Sequence, residues 1–336
     1  MNRKFLFLCL TSCFVWILLQ AQEVVRVGII GLDTSHSPAF IKLLNENDTA
    51  EAYRGYKVTA AYPYGSRTIE SSSSRIPGYT EEAKNYGVEI VGSIAELLDK
   101  VDCIMLETND GNLHLEQAAE VMKSGKPLFI DKPVAANLTD AIAIYMLAQK
   151  YGVPVFSSSS LRYTKKNQAL QNGIYGKVTG ADCYSPSPYE PSHPAFSWYG
   201  IHGVEALFTI MGAGCAQVSR VASEGTDVVT GLWEDGRIGT FRGLRTGKTD
   251  YGGTVYCENS IQSASGYEGY ADLVAEIVRF FRTKTPPVSA EETIEIFTFM
   301  EASYESKRRN GALVSMKKIR ETGTKRAEKI LRSKKY

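Results

Sequence analysis

Val24-Val25-Arg26-Val27-Gly28-Ile29-Ile30-Gly31-Leu32-Asp33-Thr34-Ser35-His36 decides the fold. A β-branched apolar run enters a glycine-bearing turn. Asp33, Thr34 or Ser35 can then cap a helix that begins near Pro38. Further short apolar runs follow at Tyr56 to Ala61, Gly87 to Val91, Asp102 to Leu106, Pro127 to Ile130 and Val153 to Phe156. They are mostly continuous rather than alternating, as in strands covered on both faces. Helical stretches lie between them. Leu113 to Ser124 is closed by Gly125 and Pro127. Asn137 to Tyr151 opens on an Asn cap with Asp140 three residues on, and closes at Gly152 and Pro154. This alternation predicts an α/β, Rossmann-type doubly wound parallel sheet over residues 22–160.

Residues 161–312 read as an α+β domain with an open, mainly antiparallel sheet. Strands are expected at Lys177 to Tyr184, Val218 to Ala222, Asp227 to Trp233, Gly239 to Arg242 and Gly253 to Glu258. Glu234-Asp235-Gly236 is a hairpin signal. Helices are expected at His202 to Met211, Tyr270 to Arg282 and Ala290 to Arg308. Residues 313–336, rich in Lys and Arg, read as a basic C-terminal tail, a solvated and partly frayed terminal helix.

The 336 residues suit two domains. A formal net charge of +1 gives no field for nucleic acid. Arg3, Lys4, the uncharged run Phe5 to Leu19 and Ala21 have the layout of a secretory signal peptide over residues 1–21. Export to a periplasm or medium, with no further membrane association, is therefore expected. The run is short for a membrane span. Cleavage near Ala21 leaves Cys103, Cys183, Cys215 and Cys257. They are far apart with no C-x-x-C pair, so neither a metal site nor a disulfide scaffold is read.

Gly28 and Gly31 fit a dinucleotide turn, where the backbone approaches a diphosphate at a helix N-terminus. Asp33 stands where glycine is usual. The second run ends in Ala61-Tyr62-Pro63-Tyr64-Gly65-Ser66-Arg67, with no ribose-binding acid. Ser66 and Arg67 there tolerate a 2′-phosphate, so NAD and NADP both stay open. Ligands in such sheets sit beyond the strands' carboxyl ends. That puts Asn109, His114 and Lys132 on one crevice.

Thr108 to His114, Asp131-Lys132-Pro133 and Gly200-Ile201-His202-Gly203-Val204-Glu205 together resemble the glucose–fructose oxidoreductase, inositol dehydrogenase and rhizopine-catabolism (Gfo/Idh/MocA) family, in a divergent exported branch. The resemblance spans about residues 24–310. They look like its T-P-x-x-x-H, E-K-P and D-x-G-x-H-x-x-D stretches. Trp198 replaces the family's Asp. The resemblance implies Lys132 and His202 as catalytic pair. It implies a dinucleotide held among Gly28, Gly31, Asp33, Thr34, Ser35, His36, Ser66, Arg67, Asn109, His114, Asp131 and Pro133. Tyr163, Trp198, Tyr199 and Glu205 would face a sugar or cyclitol, and the second sheet would support a homo-oligomer. His202 would take a hydroxyl proton while Lys132 steadies the oxygen. Two alternatives stay open: a glycoside hydrolase or lyase with a retained nicotinamide, and a non-catalytic sugar-binding relic.

Overall fold

A computed structural model describes residues 24–46, 50–334 and 336. The expected leader, residues 1–21, lies outside the described residues. The first half runs β1 (Val25–Ile30), α1 (His36–Glu46), β2 (Tyr56–Tyr62), α2 (Glu70–Ser73), α3 (Ile76–Asn85), β3 (Glu89–Ile90), α4 (Ile94–Lys100), β4 (Cys103–Leu106), α5 (His114–Lys123), β5 (Leu128–Asp131), α6 (Leu138–Tyr151) and β6 (Val155–Ser158). Its sheet has the order β3-β2-β1-β4-β5-β6, and every pair is parallel.

The continuous apolar runs hide a period of two. Ile30, Ile104, Leu106, Leu128, Ile130 and Val155 enter one core, under α4, α5 and α6. Val27, Ile29, Cys103, Met105, Phe129 and Phe156 enter the other, under α1. Both faces are covered, so both sets of side chains are apolar. The α6 caps form as expected: the Asn137 side chain accepts from the Asp140 N–H at 3.0 Å, and Gly152 closes the helix with φ +66°.

The second half runs α7 (Lys165–Gln171), β7 (Val178–Pro186), α8 (Ile201–Met211), β8 (Cys215–Ala222), β9 (Thr226–Trp233), β10 (Ile238–Leu244), β11 (Gly252–Cys257), β12 (Ser260–Ala264), α9 (Ala271–Thr283), α10 (Ala290–Arg308), β13 (Val314–Ser315) and α11 (Met316–Lys334). Its sheet has the order β12-β11-β7-β10-β9-β8-β13. Among the described pairs of this sheet, β7–β10 is parallel and the rest are antiparallel.

Two C-terminal elements return to the first half. The amphipathic helix α9 places Leu273, Val274, Ile277, Phe280 and Phe281 in the α1-side core, with the Phe280 ring 4.8 Å from Phe156. The basic segment expected as a tail forms β13 and α11. Helix α11 docks on α6, where Gly323 lets it approach Leu138 and Ile142. Its charges face water while Met316, Gly323 and Ala327 are buried. The expected helix forms, but every third or fourth residue of it is small or apolar, so it is docked by a seam rather than solvated and frayed.

Gly31 follows β1 with φ +92°, and a Cβ there would stand 2.6 Å from the Thr108 backbone. Gly87 also has a positive φ, +76°, but open space around it. Gly87→Ala is expected to cost about 1 kcal/mol for the backbone alone. Gly31→Ala is expected to cost about 3 kcal/mol, because overpacking adds to it. Urea unfolding of both variants checks this; equal losses would remove the close contact between the β1 and β4 loops.

Candidate functional site

The carboxyl edge of the parallel sheet is polar and buried. Gly28 is not at the turn: it lies inside β1, and its missing side chain makes room for Val101, Ile104 and Leu97. The turn proper is Gly31-Leu32-Asp33-Thr34-Ser35-His36. Read on the dinucleotide pattern, Asp33 and His36 therefore take the places of its second and third glycines. Thr34 is buried and Ser35 exposed; the His36 N–H lies 3.5 Å from Thr34 Oγ1.

Asp33 has no solvent exposure. Its carboxylate accepts from the Ser66 N–H at 2.7 Å and the Asn109 N–H at 3.1 Å. Gly65 presses on it so closely that a Cβ would clash. Burial pushes this carboxyl up to about 6, against the lowering effect of those amides. Ser66 is buried too, and its hydroxyl donates to Asp110 Oδ2 at 3.1 Å, so it is not placed to meet a 2′-phosphate. Arg67 is exposed, 5.8 Å from the Tyr64 ring centroid. The Asn109 amide donates to Ser72 Oγ at 2.8 Å.

His114 staples two loops instead of facing the crevice. Its Nε2 is 2.6 Å from the Thr108 carbonyl and its Nδ1 3.2 Å from that of Val134. Burial lowers the ring's pKa.

At the end of β5, Asp131 Oδ2 lies 2.8 Å from His36 Nδ1 and 3.4 Å from Lys132 Nζ. Burial opposes the Asp131 charge, but His36 and Lys132 hold its carboxyl below the usual range. The Lys132–Pro133 peptide is cis. Glu107, at the end of β4, has no exposure, and neither carboxylate oxygen has a hydrogen-bond partner. Burial, then the Asp131 charge, push it well above the usual carboxylate range.

The second half closes over this edge. His202, on α8, is 7 % exposed and Lys132 8 %. Burial, then the charges of Lys132 and His36, lower the His202 ring well below its ordinary value. Strand register relates Lys132 to the residue that holds His202. Asp131 pairs with Ser158, so Lys132 and Ser159 leave neighbouring strands side by side. Ser159 Oγ then holds His202 Nδ1 at 2.7 Å.

Glu205, expected at the substrate, is a strut. It accepts from the Ser158 hydroxyl, the Ser159 N–H at 2.9 Å and Arg162 Nε at 2.9 Å. Tyr163, also expected there, packs with α9 in the α1-side core and borders a groove with Glu276 and Arg279. Trp198 stands edge-on to His193, ring centroids 4.7 Å apart. Tyr199 does flank His202, at 5.2 Å, and its hydroxyl accepts from that of Tyr251 at 3.0 Å. Tyr251, 5.8 Å from the His202 ring, and Tyr270, 4.6 Å from the His36 ring, join the site without being among the expected site residues. Both sit in loops without a motif.

A cleft of about 500 Å³ opens beside the β2 end, lined by Tyr62, Tyr64, Gly65, Arg67, Thr68 and residues of α5. It has room for the adenosine end of a dinucleotide, with Arg67 on one side and Asp110, Glu116 and Glu120 on the other. Asp33 is drawn toward two amides, and burial raises its carboxyl to about 6, which lessens its repulsion of a nearby anion. The residues present therefore fit such a cofactor.

Residues 25–159 match a family model described as an oxidoreductase family with an NAD-binding Rossmann fold, GFO_IDH_MocA. The chain is 23% identical over 146 residues to an uncharacterized oxidoreductase, YhhX, of Escherichia coli K12. That match covers 39% of this chain and 42% of the relative, so the chain spans less than half the length of the curated protein it matches. A probable dehydrogenase from Thermotoga maritima has a similar structure: TM-score 0.71, 19% identity, 88% of this chain and 100% of that one. So does a scyllo-inositol dehydrogenase from Lactobacillus casei, solved with NAD(H) and scyllo-inositol: TM-score 0.68, 14% identity, 88% and 99%. At these identities the likeness is one of fold.

Glu205→Ala is expected to lower unfolding stability by about 3–5 kcal/mol, because it leaves Arg162 short of a buried charge partner. Chemical denaturation checks this. A fully stable variant with only a raised KM would restore Glu205 to the substrate.

Proposed function

We propose that this chain, which belongs to the Gfo/Idh/MocA oxidoreductase family through residues 25–159, is an NAD(P)-dependent oxidoreductase acting on a hydroxyl of a sugar or cyclitol. The single observation that supports this most is the side-by-side exit of Lys132 and Ser159 from β5 and β6, with His202 hydrogen-bonded to the latter. Gly31, the α1 N-terminus, Arg67 and Lys132 are the groups that would hold the dinucleotide. When bound, its nicotinamide supplies the hydride acceptor.

The chain's own residues handle the proton. Ser159 Oγ occupies His202 Nδ1, which leaves Nε2 for the substrate hydroxyl. His202 is neutral near pH 7 because burial disfavours its charged form, so it can accept that proton. Lys132 donates to the same oxygen and stabilises negative charge as the O–H bond breaks. Tyr199 and Tyr251 flank the imidazole and give a polyol both apolar faces and hydroxyl partners. Export after cleavage near Ala21 belongs to the same proposal and favours a tightly held cofactor over an exchanging one.

Small molecules released by denaturing the purified chain are expected to include about one dinucleotide per chain. With a polyol panel, Lys132→Ala and His202→Ala are each expected to lower kcat about 10²- to 10⁴-fold. The wild-type rate is expected to stay level as pH falls until below 6.5, His202's ordinary value, because its folded pKa is lowered. Unchanged turnover in Lys132→Ala would reject its role. Turnover without net change at the reduced-nicotinamide absorbance band would favour internal redox cycling on a glycoside.

A further inference from the structure

We infer that His36, Glu107 and Asp131 form a buried site for a divalent transition-metal cation of the zinc or manganese class. The three come from the start of α1, the end of β4 and the end of β5. One ligand atom from each lies within 4.8 Å of the others. Donors about 2.1 Å from a metal stand roughly 3–3.5 Å apart, so loading closes the cluster by about an ångström. Rotation of Glu107 supplies that movement, because no hydrogen bond holds its carboxylate.

The unpartnered oxygens are the observation that points to a ligand. Both Glu107 oxygens and Asp131 Oδ1 are buried and lack hydrogen-bond partners. Buried carboxylate oxygens are ordinarily satisfied. Among the described residues none satisfies these, although backbone amides do so for Asp33 at the same sheet edge. Carboxylate oxygens with an imidazole are the donors that zinc and manganese accept.

The facing charges agree. Asp33, Glu107 and Asp131 bring three carboxyl groups to this edge, and Lys132 is the fixed cation beside them, with His202 opposite. Three protein ligands leave at least one coordination position open, the mark of a site that takes water or a substrate oxygen. Such a position next to Lys132 suits a hydroxyl oxygen of a polyol; that last point rests on the proposed redox reading, while the metal site does not. The ligands are 71 and 24 residues apart and follow no spacing rule, so no motif announces the site.

The test is metal analysis of the purified full chain, then calorimetric titration of chelator-stripped chain with Zn²⁺ or Mn²⁺, without dinucleotide or polyol. Expected are close to one ion per chain, saturable binding and a raised melting temperature. Glu107→Gln is expected to weaken binding about a hundredfold or more, since lost outer-shell partners alone cost 10–100-fold. The same variant removes a buried, unpartnered carboxylate, so its metal-free form is expected to melt no lower than the wild type. If it fails to fold, His36→Asn gives the same comparison. Absence of metal with no heat and no melting shift up to millimolar ion overturns the site. So does binding that neither substitution weakens. Because no cofactor is present, such a failure leaves the redox reading standing, and a missing dinucleotide leaves the metal site standing.

Discussion

A carboxylate sealed between three loops holds the functional edge together. Where parallel strands end, their ladder stops and backbone N–H groups need other partners. In a glycine-rich turn the open backbone leaves such groups to a diphosphate. Here Asp33 takes two of them, from Ser66 and Asn109, and binds the loops after β1, β2 and β4 to one another. The tie extends outward: Ser66 passes to Asp110 and Asn109 passes to Ser72. Gly65 and Gly31 are required because the loops approach too closely for a Cβ. The cost is a buried carboxyl raised to about 6, which makes the turn's charge adjustable near neutrality.

The fold was legible where local physics decides it. Apolar runs of strand length, the Asn137 cap and the Gly152 stop each carry their own signal, and each forms as read. Elements that depend on distant partners were not. Helix α9 reads correctly as amphipathic, but nothing in its residues says that its apolar face covers the first domain's sheet. The lysines and arginines of α11 mask a seam of Met316, Gly323 and Ala327. The site was half legible for the same reason. Lys132 and His202 stand in recognisable motifs. The turn was read three residues early because Gly28 and Gly31 are both glycines beside a strand, and only packing separates them. Glu205 was read as a substrate acid because its partner Arg162 lies 43 residues earlier, in no pattern with it.

The two halves interlock rather than merely adjoin. Six apolar side chains of α9 enter the α1-side core, each worth about 1.5–3 kcal/mol when fully buried. That packing sets down Tyr270, the residue before α9, on the His36 ring. On the opposite face α11 fixes the end of the chain to α6. Relative motion of the domains, the default for small polar interfaces, is therefore opposed from both sides of the sheet.

This rigidity bears directly on the ammonium and the imidazole. Lys132 follows the last residue of β5 and Ser159 follows the last residue of β6, and their neighbours Asp131 and Ser158 are paired in register. A slip of one residue in that pairing would turn one of them to the other face of the sheet. Helix α8 then grips Ser158 and Ser159 twice, through His202 and, three residues on along the same helix face, through Glu205. Arg162 carries the grip on to Glu292 in α10. Strand pairing thus places the backbone from which the lysine springs, and a buried ion-pair strut holds the helix that carries the imidazole. For the proposed reaction, in which a proton acceptor and a charge stabiliser address one oxygen, such fixed supports are the requirement.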